Sequence, residues 1–298
     1  MAFGWRCAGV AWPGHGPQLG WSRGAERRVS LLAYGGRLGF RAVGERHCVG
    51  ARGNVCPLGA VVAGRSTGGR CPECARLDRA HSVAADTMVD DPRTYRVYLA
   101  WFGPGLVKVG ITREERGGAR LREQGAVAYT WLGRGPLMAA RRTEEVLRAA
   151  LGVPDRIPYA RKRTVRGRLP GRQERFDEVV ELYGRAVALH GRGWPESLEP
   201  VPVEVVDHAG IFGLDRSDAA TRSVGELVDG GVVAGRLVAA AGPDLHLAVG
   251  GGGGVVVLDT RLITGWELEA FQPVGEGEGE VRVPLIDITG GGVQGGLF

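Results

Sequence analysis

The chain has 298 residues, of which 44% are hydrophobic and 51 are glycine, and a formal net charge of +5 at neutral pH. That length suits about two or three domains. No apolar run reaches the ~18 residues of a membrane helix and the first residues hold no continuous apolar core, so the expectation is no membrane, no secretion and a cytoplasmic, reducing location.

A basic balance fits a polyanion partner, and equally an ordinary mildly basic protein. Lysine occurs only at Lys108 and Lys162, against 36 arginines. That skew reads as genome composition, so no single arginine carries weight on its own.

In chain order, residues 1–47 read as short strands. VSLLAYGG and RLGFRAVG alternate loosely about Gly35-Gly36, a hairpin signal. Four of the five cysteines follow: Cys48, Cys56, Cys71 and Cys74. Cys71-Pro-Glu-Cys74 spaces two thiols so that one tight turn brings both to one ion. Cys48 and Cys56 complete a four-thiolate set if the seven residues between them fold back. In a reducing compartment such a cluster reads as a zinc site, structural because four thiolates leave no open position for water. Two alternatives stand beside it: a labile pair of Cys71 and Cys74 alone, and His47 as a substitute ligand. Cys7 reads as a plain thiol.

Residues 81–94 form a polar connector broken at Asp90-Asp91-Pro92. YRVYLAWFGPGLVKVGI, residues 95–111, is a hairpin: apolar residues alternate on either side of Gly103-Pro104-Gly105. The alternation puts Val97, Leu99 and Trp101 on one face and Tyr98 and Ala100 on the other. In the second strand Val107, Val109 and Ile111 share a face, and Lys108 and Gly110 the opposite one. Tyr98, Lys108 and a bare glycine can therefore line one polar surface. GARLREQGA and ARRTEEVLRAALGVPD then read as helices carrying Arg120 and Glu144.

Residues 161–175, RKRTVRGRLPGRQER, are a basic stretch. Arg161, Lys162, Arg163, Arg166 and Arg168 are its candidate contacts to nucleic-acid phosphates. Phe176, Val179, Val180, Tyr183, Ala186 and Val187 then recur at helical spacing. Pro195, Pro200 and Pro202 mark a linker. From about Val203 the chain is β-rich, which suggests a small barrel or curled sheet. Gly250–Gly254 reads as a hairpin loop without the lysine and helix of a phosphate loop. VGEGEGE and GGGVQGGLF read as partly ordered.

Val97-Tyr98 followed by Lys108-Val109-Gly110, with Arg120 on a first helix and Glu144 on a later one, resembles the GIY-YIG nuclease fold over roughly residues 94–165. That resemblance implies roles. Tyr98 is the first tyrosine, positioning or deprotonating the attacking water. Arg120 braces the phosphate. Glu144 holds a divalent metal, magnesium or manganese. Lys108 replaces the second tyrosine and contacts phosphate or lowers the tyrosine pKa. The late asparagine of such nucleases has no counterpart, because the only asparagine is Asn54. Each residue also has a plainer role: Glu144 pairing with Arg148 four residues on, Arg120 as one arginine of several, Tyr98 as a half-buried strand tyrosine.

The whole chain resembles the domain-of-unknown-function family 2797, through the cysteine cluster, VKVGIT, REQGA and the Gly-rich β region. The expected class is α+β. It comprises an N-terminal β and zinc-binding module (1–85), a central GIY-YIG-like α/β domain with the basic segment and a helix (92–192), and a small C-terminal β domain (200–298). Three functions stay open: a metal-dependent nuclease acting on DNA or RNA, a non-catalytic nucleic-acid-binding protein, and a zinc-stabilised protein-interaction scaffold.

Overall fold

The structure, a computed structural model, describes residues 4–14, 16–79, 91–154, 156–191, 193–250, 252–273 and 279–289. Most of the connector expected at 81–94, Asp155, most of VGEGEGE and the GGGVQGGLF tail lie outside the described residues, as does Gly251 in the glycine run.

The first strands are β1 (Arg6–Ala11), β2 (Gln18–Arg23), β3 (Glu26–Leu31) and β4 (Arg37–Val43); α1 (Pro72–Arg79) follows the cysteine loop. The middle of the chain forms β5 (Tyr95–Gly103), β6 (Leu106–Arg113), α2 (Ala119–Gln124), β7 (Ala128–Gly135), α3 (Leu137–Leu151), α4 (Tyr159–Arg166) and α5 (Arg172–Val187). Then come β8 (Glu199–Pro200), β9 (Val206–Asp207), α6 (Ala209–Phe212), β10 (Arg222–Val224), β11 (Val232–Ala241), β12 (Asp244–Val249) and β13 (Gly254–Asp259). The last elements are α7 (Thr260–Ile263), β14 (Glu267–Ala270), β15 (Glu280–Arg282) and β16 (Leu285–Asp287). The protein is a mixed α and β structure with more strand than helix. Among the described residues no helix is long and apolar enough to cross a membrane.

Two sheets organise these elements. The larger runs β16-β10-β13-β12-β11-β4-β14-β1-β2-β3, with β15 also on β11. It therefore joins strands from both ends of the chain: β4 lies between β11 and β14, and β1 pairs β14. The segments expected as first and third domains thus share one sheet. Its core collects Trp12, Phe40, Phe212, Leu237, Leu247 and Leu258 among many buried aliphatics.

The hairpin expected about Gly35-Gly36 does not form. β3 pairs β2, and β4 pairs β11 and β14. The burial explains the difference: Phe40 and Ala42 of β4 sit in the main core, whereas every residue of β3 is exposed. β3 ends the strand order as an edge and leaves even Val29 and Leu31 exposed. The VEVVDH segment, read with the C-terminal strands, also goes elsewhere. Its Val206 and Asp207 form β9 on β7 of the smaller sheet. Within the stretch read as β-rich, Thr260–Ile263 form helix α7.

The smaller sheet runs β6-β5-β7-β8, with β9 also on β7. Tyr95, Val97, Leu99 and Val109 face α3 and α5, burying against Leu137, Leu147, Leu182 and Ala186. The Trp101 indole donates to Glu178 on α5 at 2.6 Å. Tyr98, Ala100 and Phe102 face the other way, with Leu121, Ala126, Tyr129 and Ile157. The two-residue period of the hairpin is the cause: both faces are covered, so both halves of the alternation are buried. In α5 the buried stripe is Val179, Leu182 and Ala186, while Phe176 is left exposed.

Candidate metal centre and basic cavity

The seven residues between Cys48 and Cys56 make one tight turn. Ala51 and Asn54 exchange backbone hydrogen bonds of 3.1 and 2.9 Å. Arg52 and Gly53 between them have φ of 53° and 83°, as a turn that reverses the chain in two residues requires. Cys56 is thereby returned to Cys48, and α1 begins just after Cys71, so its first turn carries Cys74. The sulfurs of Cys48, Cys56, Cys71 and Cys74 all lie within 4.8 Å of one another. Cys56 and Cys71 are 3.9 Å apart at sulfur. Four thiolates at ~2.3 Å from a tetrahedral ion stand about 3.8 Å apart, so the set fits such an ion.

The local backbone suits charged sulfur. The N–H groups of Gly50 and Cys71 point at Cys48 Sγ at 3.4 and 3.2 Å. N–H groups of Ala60 and Leu58 pull the Cys56 thiol down to about 7. Burial pushes Cys74 the other way, up to about 12, in the absence of a cation. All five cysteines are free thiols. His47 lies outside the set: its Nδ1 is 3.0 Å from the Gly59 carbonyl. The module is anchored through Arg46. Its buried guanidinium donates to the carbonyls of Ala63 (2.8 Å), Ser66 (2.6 Å), Thr264 (2.8 Å) and Arg261 (2.7 Å). That fan ties the cysteine loop to α7 of the large sheet.

A cavity of about 1480 Å³ opens beside the smaller sheet. Tyr98, Lys108, Arg120 and Glu144 all line it. Tyr98 and Lys108 come from the hairpin floor, Arg120 from α2 and Glu144 from α3. Tyr159 and Lys162 of α4 add a wall, and Thr67 of the cysteine loop and Arg261 complete the rim. Nine of the nineteen lining residues are lysine or arginine and two are glutamate. Of those two, Glu123 accepts from Arg116 at 2.6 Å and lies 3.8 Å from Arg120. The balance in the cavity is strongly positive and suits an anion.

Tyr98 is 2% exposed. Its ring lies over Gly110, its cross-strand partner, where a β-carbon would collide with the ring and hydroxyl. Gln124, the last residue of α2, donates from Nε2 to the Tyr98 hydroxyl at 2.8 Å. Burial holds the phenol above its ordinary pKa; the Gln124 bond and the Arg120 charge pull down, and Glu144 pushes up. Tyr98 thus stays a neutral phenol at neutral pH. The positive charge of Lys108 also bears on Lys162.

The basic stretch splits. Arg161 and Arg168 are exposed, but Lys162 and Arg166 are buried. Arg166 pairs with Asp244 at 2.7 Å, and Arg163 bridges Asp244 at 2.6 Å and Asp259 at 2.5 Å. Arg163 and Arg166 therefore face carboxylates of β12 and β13, and α4 docks the smaller sheet onto the larger. Gln124, Tyr159 and Arg261 were missed as cavity residues; REQGA, which holds Gln124, was the only sequence signal among them.

Fold and sites together define a two-sheet α and β protein with a four-cysteine centre beside a cationic cavity. The chain belongs to the family described as protein of unknown function (DUF2797), whose model matches residues 35–268, a span that holds all four cysteines and the four hairpin-and-helix residues of the cavity. No curated protein and no solved structure matches it.

Proposed function

We propose that this is a zinc-binding protein whose central unit is a GIY-YIG-like, divalent-metal-dependent nuclease acting on DNA or RNA. One observation carries the reading: Tyr98, Lys108, Arg120 and Glu144 line a single cationic cavity. The β6-β5-β7 order, with Arg120 on the next helix and Glu144 on a later one, agrees with the resemblance in the sequence.

The residues divide the work as follows. Arg120 and its neighbouring arginines bind the phosphate, since the planar guanidinium matches two phosphate oxygens. Glu144, one of the two carboxylates that line the cavity, fits as the ligand of magnesium or manganese; hard cations take one or two carboxylates and complete their shell with water and phosphate oxygens. Such an ion supplies charge neutralisation at the phosphate. Tyr98, neutral and held by Gln124, donates its own proton toward the cavity and orients water or phosphate oxygen there. The zinc centre is structural, and its folding energy orders the loop that brings Thr67 to the cavity rim.

A second reading, nucleic-acid binding without cleavage, draws on the burial of Tyr98 and on lysine at the second tyrosine's position. The purified chain is incubated with DNA and RNA, with and without magnesium, over a range of salt. Magnesium-dependent cleavage is expected, falling at least ~100-fold in Arg120→Ala and in Glu144→Gln. Salt-sensitive retention without cleavage supports the second reading. No cleavage and no retention at low salt overturns both and leaves the zinc-stabilised scaffold. Metal analysis is expected to return about one zinc per chain, lost on Cys71→Ser with Cys74→Ser.

A further inference from the structure

In a chain that places arginine at 36 basic positions, the two lysines both line the cavity, and the charge of one bears on the other. The two residue types differ in one chemical respect that matters here. A guanidinium stays protonated, whereas a lysine amine in a dry site beside another cation gives up its proton and becomes a nucleophile.

Lys162 occupies such a site. It is 4% exposed. Its Nζ sits 3.8 Å from the centre of the Phe102 ring and 4.4 Å from that of Tyr159, which exclude water on two sides. Among the described residues its one hydrogen-bond acceptor is the uncharged carbonyl of Gln124 at 3.0 Å. No carboxylate pairs with it among the described ion pairs; Asp244 is taken by Arg163 and Arg166. Burial first, then the charges of Arg166 and Lys108, pulls the amine down to about 6, so it is the free base at neutral pH. The same Gln124 holds Tyr98, so amine and phenol are neighbours on one residue.

We propose that Lys162 is an imine-forming nucleophile for an aldehyde flanked by phosphates, namely the open-chain sugar of an abasic nucleotide in DNA or RNA. The proposal rests on reading the cavity as a nucleic-acid site, and is independent of phosphodiester cleavage by a metal. A cavity of about 1480 Å³ with nine cationic residues exceeds the needs of one phosphate, which favours a polymer over a small sugar phosphate. The step balances without a further reagent. The Nζ lone pair adds to C1′; both amine hydrogens leave with the carbonyl oxygen as water, and a C=N bond replaces C=O. With the imine protonated, the C2′ proton passes to water and the C3′–O bond breaks, the phosphate keeping the electron pair. Hydrolysis of the imine returns the amine.

The full chain is incubated with an abasic oligonucleotide in EDTA and sodium cyanoborohydride, and the adduct is mapped by peptide mass spectrometry. A stable adduct on Lys162 is expected, with trapping reduced at least ~100-fold in Lys162→Arg and Lys162→Met, each checked for folding by its thermal transition. Mapping on the unaltered chain keeps the test decisive even if both variants unfold. An adduct on Lys108 alone, no adduct, or labelling by ribose 5-phosphate in place of the oligonucleotide overturns the proposal. EDTA separates the two activities: an adduct in EDTA with no cleavage of intact strands in magnesium refutes only the nuclease reading, and magnesium-dependent cleavage with no adduct refutes only this one.

Discussion

Tyr98 shows how one position depends on three others. The ring needs a bare backbone opposite it, and Gly110 supplies it at the cross-strand position. The hydroxyl needs a donor, and Gln124 supplies one 26 residues away. Because the amide N–H occupies the phenol oxygen, the phenol proton is directed elsewhere. Gly110→Ala is expected to force the ring out of place. Overpacking of this kind costs about 1–3 kcal/mol, read as a lower urea midpoint at unchanged slope, and nucleic-acid retention falls with it. That Tyr98 and a glycine line one surface was legible in the sequence, since a two-residue period fixes faces; that they stand directly opposite was not. Gln124 was not, because a helix end can aim its side chain in many directions until tertiary packing chooses one.

At the scale of elements, α4 separates charge composition from charge placement. Five basic residues within eight positions read as a phosphate-binding surface, yet Arg163 and Arg166 meet Asp244 and Asp259 inside the protein. Their partners lie some eighty residues downstream, on two paired strands whose Asp244 and Asp259 stand opposite each other. A run of arginines does not reveal whether water or a distant carboxylate faces it. The same limit applied to β4, whose partners lie near residues 232–236 and 267–270, and to the segment at Val206. Local signals were sufficient for the β5–β6 hairpin and for α5, whereas the turn that returns Cys56 stood in the sequence only as a condition of the four-thiolate set. Arg166→Met leaves Asp244 with one fewer partner in a dry site, and breaking a buried pair from one side costs about 3–5 kcal/mol. Chemical denaturation of Arg166→Met is expected to show that loss. The double variant Arg166→Met with Asp244→Leu is expected to recover part of it, because no orphaned charge remains.

For the whole molecule, the joint between the two sheets makes stability depend on acidity. His246 on β12 is buried beside Arg163, Arg166 and Asp244, and its Nε2 has no hydrogen-bond partner among the described residues. Burial, then the Arg166 charge, holds it down to about 4, against an ordinary histidine near 6.5. The unfolded chain therefore takes up a proton below 6.5 that the folded chain refuses until about 4, so unfolding gains as the medium is acidified across that window. Lys162 is also lowered, but its folded and unfolded values, about 6 and 10.5, place its effect above pH 6. Asp244, held below the ordinary carboxylate range by Arg163 and Arg166, withdraws its contribution only at lower pH still. Between pH 6 and 4 the slope thus belongs to His246, and amounts to roughly 3 kcal/mol over the full histidine window. Urea unfolding at half-unit steps is expected to show stability falling across that range in the unaltered chain and a flattened profile in His246→Leu, which cannot take a proton in either state. An unchanged slope in the variant would assign the acid sensitivity to some other group and deny that this joint is the titrating element.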